Sequence, residues 1–155
     1  MDLDGDGRPD ILSGSWPGEV YFFRRLADGS FAAPEQLKTA AGKPLNAGPA
    51  SAPFAFDWTS DGKPDLVVGT AGGQSLELMP PVRLEAGGKP IDTAIGHAAP
   101  FVADFDGDGV KDLLVGQFGD GILWIYRNEG SNTAPRLAAG VKFKEGTADG
   151  RVPTG

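Results

Sequence analysis

The sequence predicts an all-β protein made of repeated units of four short antiparallel strands, the architecture of β-propeller blades. Three observations predict it. The 155 residues include 24 Gly and 13 Pro, yet 40% are hydrophobic, so a buried core must come from short elements separated by many turns. An acidic nonapeptide starts at residues 2, 57 and 104, a repeat of about 50 residues that is typical of blades or solenoid units. Each copy is followed by a short apolar run that indicates a buried strand.

The acidic copies span residues 2–10, 57–65 and 104–112, which we call loops 1, 2 and 3, with positions numbered 1 to 9. Asp occupies positions 1, 3, 5 and 9 of every loop except at position 3 of loop 2, where Thr59 stands. The loops hold more than half of the 21 acidic residues in a chain of formal net charge −7, so the acidity is local. Carboxylates directed toward one centre repel one another by about 3 kcal/mol per pair at roughly 5 Å, and a cation at that centre reverses the repulsion.

The available donor atoms indicate which cation these loops would bind. The chain has no Cys and the loops have no His, so every ligand is an oxygen, which favours a hard ion over zinc or copper. Four side chains and the position-7 backbone carbonyl suit Ca²⁺, whereas Mg²⁺ prefers a tight octahedron and keeps several waters. An EF-hand is excluded because position 12 is Ser13, Val68 or Val115 and not Glu. Loop 2, with Thr59 at position 3 and Ser60 in place of Gly, is expected to bind most weakly.

The strands of each repeat follow from aligning the three loops. A first strand is predicted before loops 2 and 3, at 53–56 and 100–103, and none before loop 1. A second strand follows every loop and ends in Gly. Third strands are predicted at 20–25, 76–79 and 122–127, fourth strands at 31–37, 82–85 and 137–143, and connectors at 42–45 and 88–91. The repeats then cover about 1–48, 49–95 and 96–145 of a single propeller segment, and 146–155 begin a further connector.

The predicted order within a repeat is a first strand, the acidic nonapeptide, a Leu-Val-Gly-type strand and an aromatic strand. In this order the sequence resembles the FG-GAP/VCBS repeat family, which forms the calcium-binding blades of integrin-α-like β-propellers. The resemblance covers nearly the whole chain in three copies, while the literal family tags survive only in part, as Phe118-Gly119 and Ala99-Pro100. It implies up to three Ca²⁺ ions per chain, each held by the side chains at positions 1, 3, 5 and 9 and the carbonyl at position 7. The ligands it implies here are Asp2, Asp4, Asp6, Arg8 and Asp10; Asp57, Thr59, Asp61, Lys63 and Asp65; Asp104, Asp106, Asp108, Val110 and Asp112.

Three blades are fewer than the four to eight that typically close a propeller. An open arc would leave strand edges and apolar blade faces in water. Two explanations stay open: the chain is part of a longer, partial propeller, or it is half of an oligomeric ring in which two copies of the chain supply six blades with two-fold symmetry.

The sequence offers little material for catalysis. It lacks Cys and a Gly-x-Ser-x-Gly motif, and its single histidine, His97, lies in a connector where a surface or turn role is expected. No phosphate-binding loop is present, and Arg24-Arg25 is the one adjacent basic pair, so neither an enzyme nor a nucleic-acid partner is predicted. The longest apolar run, at 122–126, is too short to span a membrane.

The chain opens without a signal peptide, since Met1 runs directly into loop 1. Calcium clusters together with the absence of Cys nonetheless suggest a parent protein that is extracellular or periplasmic.

Two aromatic residues, Trp16 and Phe118, occupy the same place in their repeats, beside the turn that follows the second strand. Packing between neighbouring blades is the preferred interpretation, and the alternative is exposure, where the rings stack on a sugar or on a partner side chain. The aromatic residues within strands are expected in the blade core: Tyr21, Phe22, Phe23, Trp124 and Tyr126.

The sequence therefore predicts a non-catalytic, calcium-stabilised propeller module that serves binding or scaffolding. The alternatives are a lectin-like propeller that binds carbohydrate and a non-catalytic appendage of a secreted polysaccharide-degrading enzyme. The ligand would accordingly be a protein or a glycan.

Overall fold

The computed structural model describes residues 1–71, 83–93, 97–119, 121–145 and 148–150. Every regular element in these ranges is a β-strand, and the strand pairs within each sheet are antiparallel. Among the same residues there is no helix of the length and apolar character needed to cross a membrane. The predicted all-β fold class is confirmed.

The first repeat forms a three-stranded sheet in which the order of strands follows the chain. Its strands are β1 (Ile11–Gly14), β2 (Val20–Phe23) and β3 (Glu35–Gln36). No strand precedes loop 1 among the described residues, as predicted. The fourth strand predicted at 31–37 is shorter, because Pro34 has no backbone N–H to donate to the ladder, and only an isolated bridge joins Arg25 to Phe31 before it.

The second repeat contributes two strand pairs. Its first pair is β4 (Ala52–Phe56) with β5 (Asp65–Gly69), and its second is β6 (Glu85–Ala86) with β7 (Lys89–Pro90). The segment 88–91, predicted as a connector, is instead the returning half of a hairpin, because Gly87 and Gly88 both adopt positive φ (58° and 73°) and make a two-residue turn. The third strand predicted at 76–79 lies outside the described residues.

The third repeat is a complete four-stranded sheet with the order β11-β10-β9-β8. Its strands are β8 (Ala98–Ala103), β9 (Asp112–Gln117), β10 (Ile122–Tyr126) and β11 (Val141–Lys142). The fourth strand predicted at 137–143 is again shorter, and an isolated bridge between Asn128 and Leu137 precedes it. A final antiparallel pair joins β12 (Lys144–Glu145) to β13 (Ala148–Asp149). This sheet has the four-stranded form predicted for a blade.

The hydrophobic core lies between successive repeats. One cluster, built on Val20, Leu45 and Ala47, is packed by Leu66 and Val68 of β5. A larger cluster comprises Trp58, Ala86, Val102, Leu113, Val115, Tyr126 and Leu137, with Val67 of β5 packed against it. Because alternate residues of a strand point to opposite faces, β5 contributes to both clusters and the second repeat is packed between the first and the third.

The five aromatic residues predicted for the blade core differ in how deeply they are buried. Tyr126 is buried, whereas the other members of the set are only partly buried: Tyr21, Phe22, Phe23 and Trp124. Trp124 packs against the larger core cluster, whereas Tyr21, Phe22 and Phe23 are members of neither cluster.

Candidate metal centre

Loops 2 and 3 join the first strand of a repeat to its second, and loop 1 leads directly into β1. All three loops turn through left-handed backbone at positions 4 and 6. Glycine provides it in loops 1 and 3, with φ between 79° and 86°, and in loop 2 Ser60 adopts φ 57° ahead of Gly62 at 83°. Loop 2 therefore has the same backbone path as the other two, despite its different residue at position 4.

The position-1 aspartate organises each loop by accepting backbone hydrogen bonds. In loop 1 the Asp2 carboxylate accepts from the N–H of Gly5 at 2.8 Å, of Asp6 at 3.2 Å and of Gly7 at 2.8 Å. Asp104 accepts from Gly107 and Gly109 in loop 3 in the same way. The loop thus winds around this carboxylate.

Two of the three loops bring carboxylate oxygens together. In loop 1 the oxygens of Asp2, Asp4 and Asp10 lie within 4.8 Å of one another. In loop 3 those of Asp104, Asp106 and Asp108 do the same. All of loop 2 lies within the described residues, and its carboxylates form no such group of three.

The remaining predicted ligands lie outside these two groups. They are Asp6, Asp57, Thr59, Asp61, Asp65 and Asp112, together with the position-7 carbonyls of Arg8, Lys63 and Val110, which stay predictions.

In loops 1 and 3 the position-9 aspartate ties the loop to its sheet. Asp112 is 1% exposed and accepts the N–H of Phe105 at 3.0 Å and the N–H of Asn128, just beyond β10, at 2.8 Å. Asp10 accepts equivalent bonds from Leu3 and Arg25, both at 2.9 Å. These carboxylates therefore have a structural partner at each oxygen, which the sequence-based interpretation as simple ligands missed.

The electrostatic environment of Asp10 is dominated by two opposing influences. Burial alone raises the pKa of this carboxyl, but the hydrogen bonds from the backbone N–H groups of Arg25 and Leu3 outweigh it, and the pKa falls below the ordinary 3.8. The charged form is thus the one that this site stabilises.

Basic side chains reach the acidic loops at places that the sequence analysis did not single out. The guanidinium of Arg24 pairs with Asp4, with Nε 2.8 Å from Oδ2, and that of Arg127 pairs with Asp106, with Nη1 3.5 Å from Oδ2. Arg8 pairs with Asp6 within loop 1. The sequence did contain a signal for these ion pairs. Arg24 and Arg127 each come directly after a third strand, and antiparallel pairing with the second strand returns the end of the third strand to the acidic loop.

Loop 2 receives a cation from the neighbouring repeat. The ammonium of Lys111, at position 8 of loop 3, lies 3.5 Å from the carbonyl oxygen of Asp57 and 4.2 Å from the centre of the Phe56 ring. A lysine from the next repeat therefore lies at the entrance to the loop that has the fewest carboxylates.

The donor atoms in loops 1 and 3 fit a hard divalent cation. Each loop gathers three carboxylates on a flexible backbone that turns at glycine, and all side-chain donors are oxygens. Asp2, Asp4 and Asp10 would hold the ion in loop 1, and the group at positions 1, 3 and 5 would hold it in loop 3. Such an ion would neutralise carboxylates that otherwise repel one another.

The predicted aromatic pair lies at the opposite end of the sheets from the acidic loops. Trp16 is 70% exposed and Phe118 is 60% exposed, so the expected burial between blades is wrong. Both rings instead flank His97, whose ring centroid is 5.2 Å from that of Trp16 and 4.9 Å from that of Phe118. They stay exposed because each lies in the turn after a second strand, beyond the packed part of its sheet.

One family of known proteins matches the first part of the chain. Residues 2–68 match the family described as FG-GAP-like repeat. This segment is similar to that family. The matched FG-GAP-like range contains loops 1 and 2 and ends within β5, and repeat 3, outside it, has the same order of first strand, acidic loop and second strand. No curated protein and no solved structure matches the chain.

Proposed function

We propose that this chain is a calcium-binding repeat module that serves binding or scaffolding, with a structural and non-catalytic metal. The observation that carries the proposal is the convergence of three carboxylates in loop 1 and again in loop 3, at equivalent places in two repeats. The FG-GAP-like repeat supports a role as a non-enzymatic repeat module. A parent protein in a calcium-rich, extracellular or periplasmic setting would be consistent with this use of the metal.

The proposed role of Ca²⁺ is to hold each loop against its sheet. In repeat 3 the loop joins β8 to β9, and its carboxylates lie at one end of the four-stranded sheet. An ion bound there would fix the connection between two neighbouring strands without touching the core. Up to three ions are proposed, with the weakest binding at loop 2, where the carboxylates do not converge.

Thermal unfolding with Ca²⁺ and with a chelator tests the proposal. Ca²⁺ at about a hundred times its dissociation constant stabilises by about 2.7 kcal/mol per site, which for a chain of this size raises Tm by about 5–10 °C per site. Mg²⁺ at the same concentration should raise Tm much less, because it needs a tighter octahedral arrangement.

The Asp108→Asn variant should remove the part of the calcium stabilisation that belongs to loop 3. Asp92→Asn, an exposed aspartate outside the loops, is the matched control and should keep the full response. Superimposable melting curves of the unchanged protein in Ca²⁺ and in chelator would remove calcium from the proposal.

Carbohydrate binding is a second candidate function, and the exposed aromatic rings favour it. Trp16 and Phe118 present their rings on either side of His97, and exposed aromatic faces of this kind can stack on the apolar face of a sugar ring. A lectin-like module or a non-catalytic appendage of a polysaccharide-degrading enzyme would use such a surface, whereas a protein-binding scaffold would take a protein partner there.

A glycan array followed by titration distinguishes the two functions. If the module binds sugar, Trp16→Ala and Phe118→Ala should each abolish the signal. Phe31→Ala, which removes an aromatic ring that is 37% exposed and lies away from this cluster in sequence, should leave it unchanged. An array without any calcium-dependent or calcium-independent signal would leave protein scaffolding as the function.

A further inference from the structure

The two arginines that follow the third strands occupy equivalent positions. In β2 and β10 the residues before them, Phe23 and Tyr126, pair with the first apolar residue after the loop, Ile11 and Leu113. Arg24 and Arg127 are therefore at the same register in two independent sheets.

Both arginines contact the same loop position. Each guanidinium approaches Oδ2 of the position-3 aspartate, Asp4 in loop 1 and Asp106 in loop 3. Both carboxylates belong to the groups of three that would hold a cation. The guanidinium thus shares its acceptor with the proposed ion.

The second repeat lacks both partners. Its position-3 residue is Thr59, and in the sequence its predicted third strand at 76–79 is followed by Pro80 and Pro81, with no Lys or Arg before Arg83. Within this chain the arginine accompanies the position-3 carboxylate and is absent where that carboxylate is absent, which indicates a role tied to the loop and not to the strand in general.

We propose that Arg24 and Arg127 are internal counter-cations of the acidic loops. Each neutralises the position-3 aspartate when no metal is bound and lowers the affinity of its loop for Ca²⁺, an inference that rests on the proposed function. The side chains remain partly solvent-exposed, at 47% for Arg24 and 60% for Arg127, so they are free to withdraw when an ion enters.

The charges facing each loop then rank the two sites. Loop 1 has four aspartates and two pairing arginines, Arg8 and Arg24. Loop 3 also has four aspartates but only Arg127 pairs with them among the described residues, because Lys111 extends to loop 2. Loop 3 retains more uncompensated negative charge and is expected to bind Ca²⁺ more tightly than loop 1.

Calorimetric titration of the full chain with CaCl₂ tests the role of Arg24, in the Asp108→Asn background that leaves loop 1 as the principal site. Arg24→Gln should tighten Ca²⁺ binding by about three- to tenfold, since a positive charge within a few ångströms of the ion is removed. The same variant should melt at a lower temperature in chelator. A side chain that only supports the fold would weaken binding and stability together.

Two further variants serve as controls. Arg25→Gln removes the neighbouring positive charge. The Arg25 guanidinium lies over the Phe31 ring and pairs with no carboxylate of the described loops, so this variant should bind Ca²⁺ with nearly the affinity of the background protein. Arg24→Lys keeps the positive charge and should also leave the Ca²⁺ affinity unchanged. If Arg24→Gln fails to fold, this variant provides the test instead.

The possible failures can be told apart. If the unchanged protein takes up no Ca²⁺, the proposed function fails, and this inference fails with it. If the protein binds Ca²⁺ but Arg24→Gln binds no more tightly, or if Arg24→Lys loses affinity, the counter-cation inference alone is overturned.

Discussion

At position 4 of the acidic loops the backbone is left-handed, and the residue type there decides how much strain the loop contains. Glycine adopts this conformation at no steric cost in loops 1 and 3, but in loop 2 the side chain of Ser60 must be accommodated at φ 57°. The serine is exposed and donates no side-chain hydrogen bond to any residue that the structure describes, so nothing among them offsets that cost.

Ser60→Gly should therefore stabilise the protein by about 0.5–1 kcal/mol, once the greater freedom of glycine in the unfolded chain is subtracted from the relieved strain. Urea unfolding in chelator measures the change. Ser13→Gly, an exposed serine within β1, is the matched control and should destabilise by about 0.5–1 kcal/mol. Equal effects of the two substitutions would contradict the assignment of strain to Ser60.

Asp112 lies outside the group of three carboxylates in loop 3, and both of its oxygens already accept backbone hydrogen bonds. Asp112→Asn should lower the free energy of unfolding by about 1–3 kcal/mol, since the amide can accept only one of the N–H groups of Phe105 and Asn128. Urea unfolding in Ca²⁺ and in chelator should give a similar loss in both. A loss that appears only with Ca²⁺ present would show that Asp112 acts chiefly as a ligand.

At the scale of elements, the glycine that ends β1 and the one that ends β5 allow the next repeat to approach. A Cβ added at Gly14 would overlap the carbonyl oxygen of Ser51 before β4, and one added at Gly69 would overlap that of Ala98 in β8. Gly116 is the equivalent glycine of β9, and there the nearest atoms to an added Cβ belong to Ala99 at 3.8 Å. The contact between repeats is thus made at the first two positions by backbone against backbone.

Gly14→Ala and Gly69→Ala should each destabilise the protein by about 1–3 kcal/mol, because β4 or β8 must move away from the preceding repeat. Gly116→Ala, with ordinary van der Waals room, should change stability by less than about 0.5 kcal/mol. Chemical denaturation of the three variants provides the measurement. A large loss in Gly116→Ala, comparable to the other two, would mean that another surface packs against β9 in solution.

At the scale of the whole molecule, the described residues leave strand edges without partners. In its three-stranded sheet β1 pairs only with β2, and Ile11 on it is 47% exposed. Exposed edges of this kind favour pairing with a further strand. We propose that the missing neighbour is another blade, from a second copy of the chain or from the remainder of a longer propeller.

If two copies complete a ring, the mass in solution with Ca²⁺ present should be near twice the 16.1 kDa of one chain. Light scattering after size exclusion measures it. Ile11→Asp on the open edge should return the mass to that of one chain, while Val141→Asp on the outer strand β11 should not. A monomer at all concentrations would favour the longer propeller.

Much of this arrangement follows from local sequence rules. The short apolar runs after the loops, the Gly- and Pro-rich turns and the repeated acidic nonapeptide predicted the all-β class and the four-stranded form of repeat 3, which the structure confirms. The fourth strands were predicted too long, since Pro34 and other local interruptions break the ladder in ways that periodicity does not register. The hairpin at 85–90 was missed because its two-glycine turn was interpreted as a connector.

Residue types and spacing were sufficient to establish the acidic loops and their number, because the side chains that shape such a loop are neighbours in the chain. Which carboxylates converge depended on tertiary structure, since the competing partners come from elsewhere: Arg24 and Arg127 from the ends of third strands, and the backbone N–H groups of Arg25 and Asn128. The approach of Trp16 and Phe118 to His97 likewise joins residues that are far apart in sequence. Contacts between residues far apart in sequence leave no local pattern, whereas the weaker donor set of loop 2, with Thr59 at position 3, was already visible in the sequence.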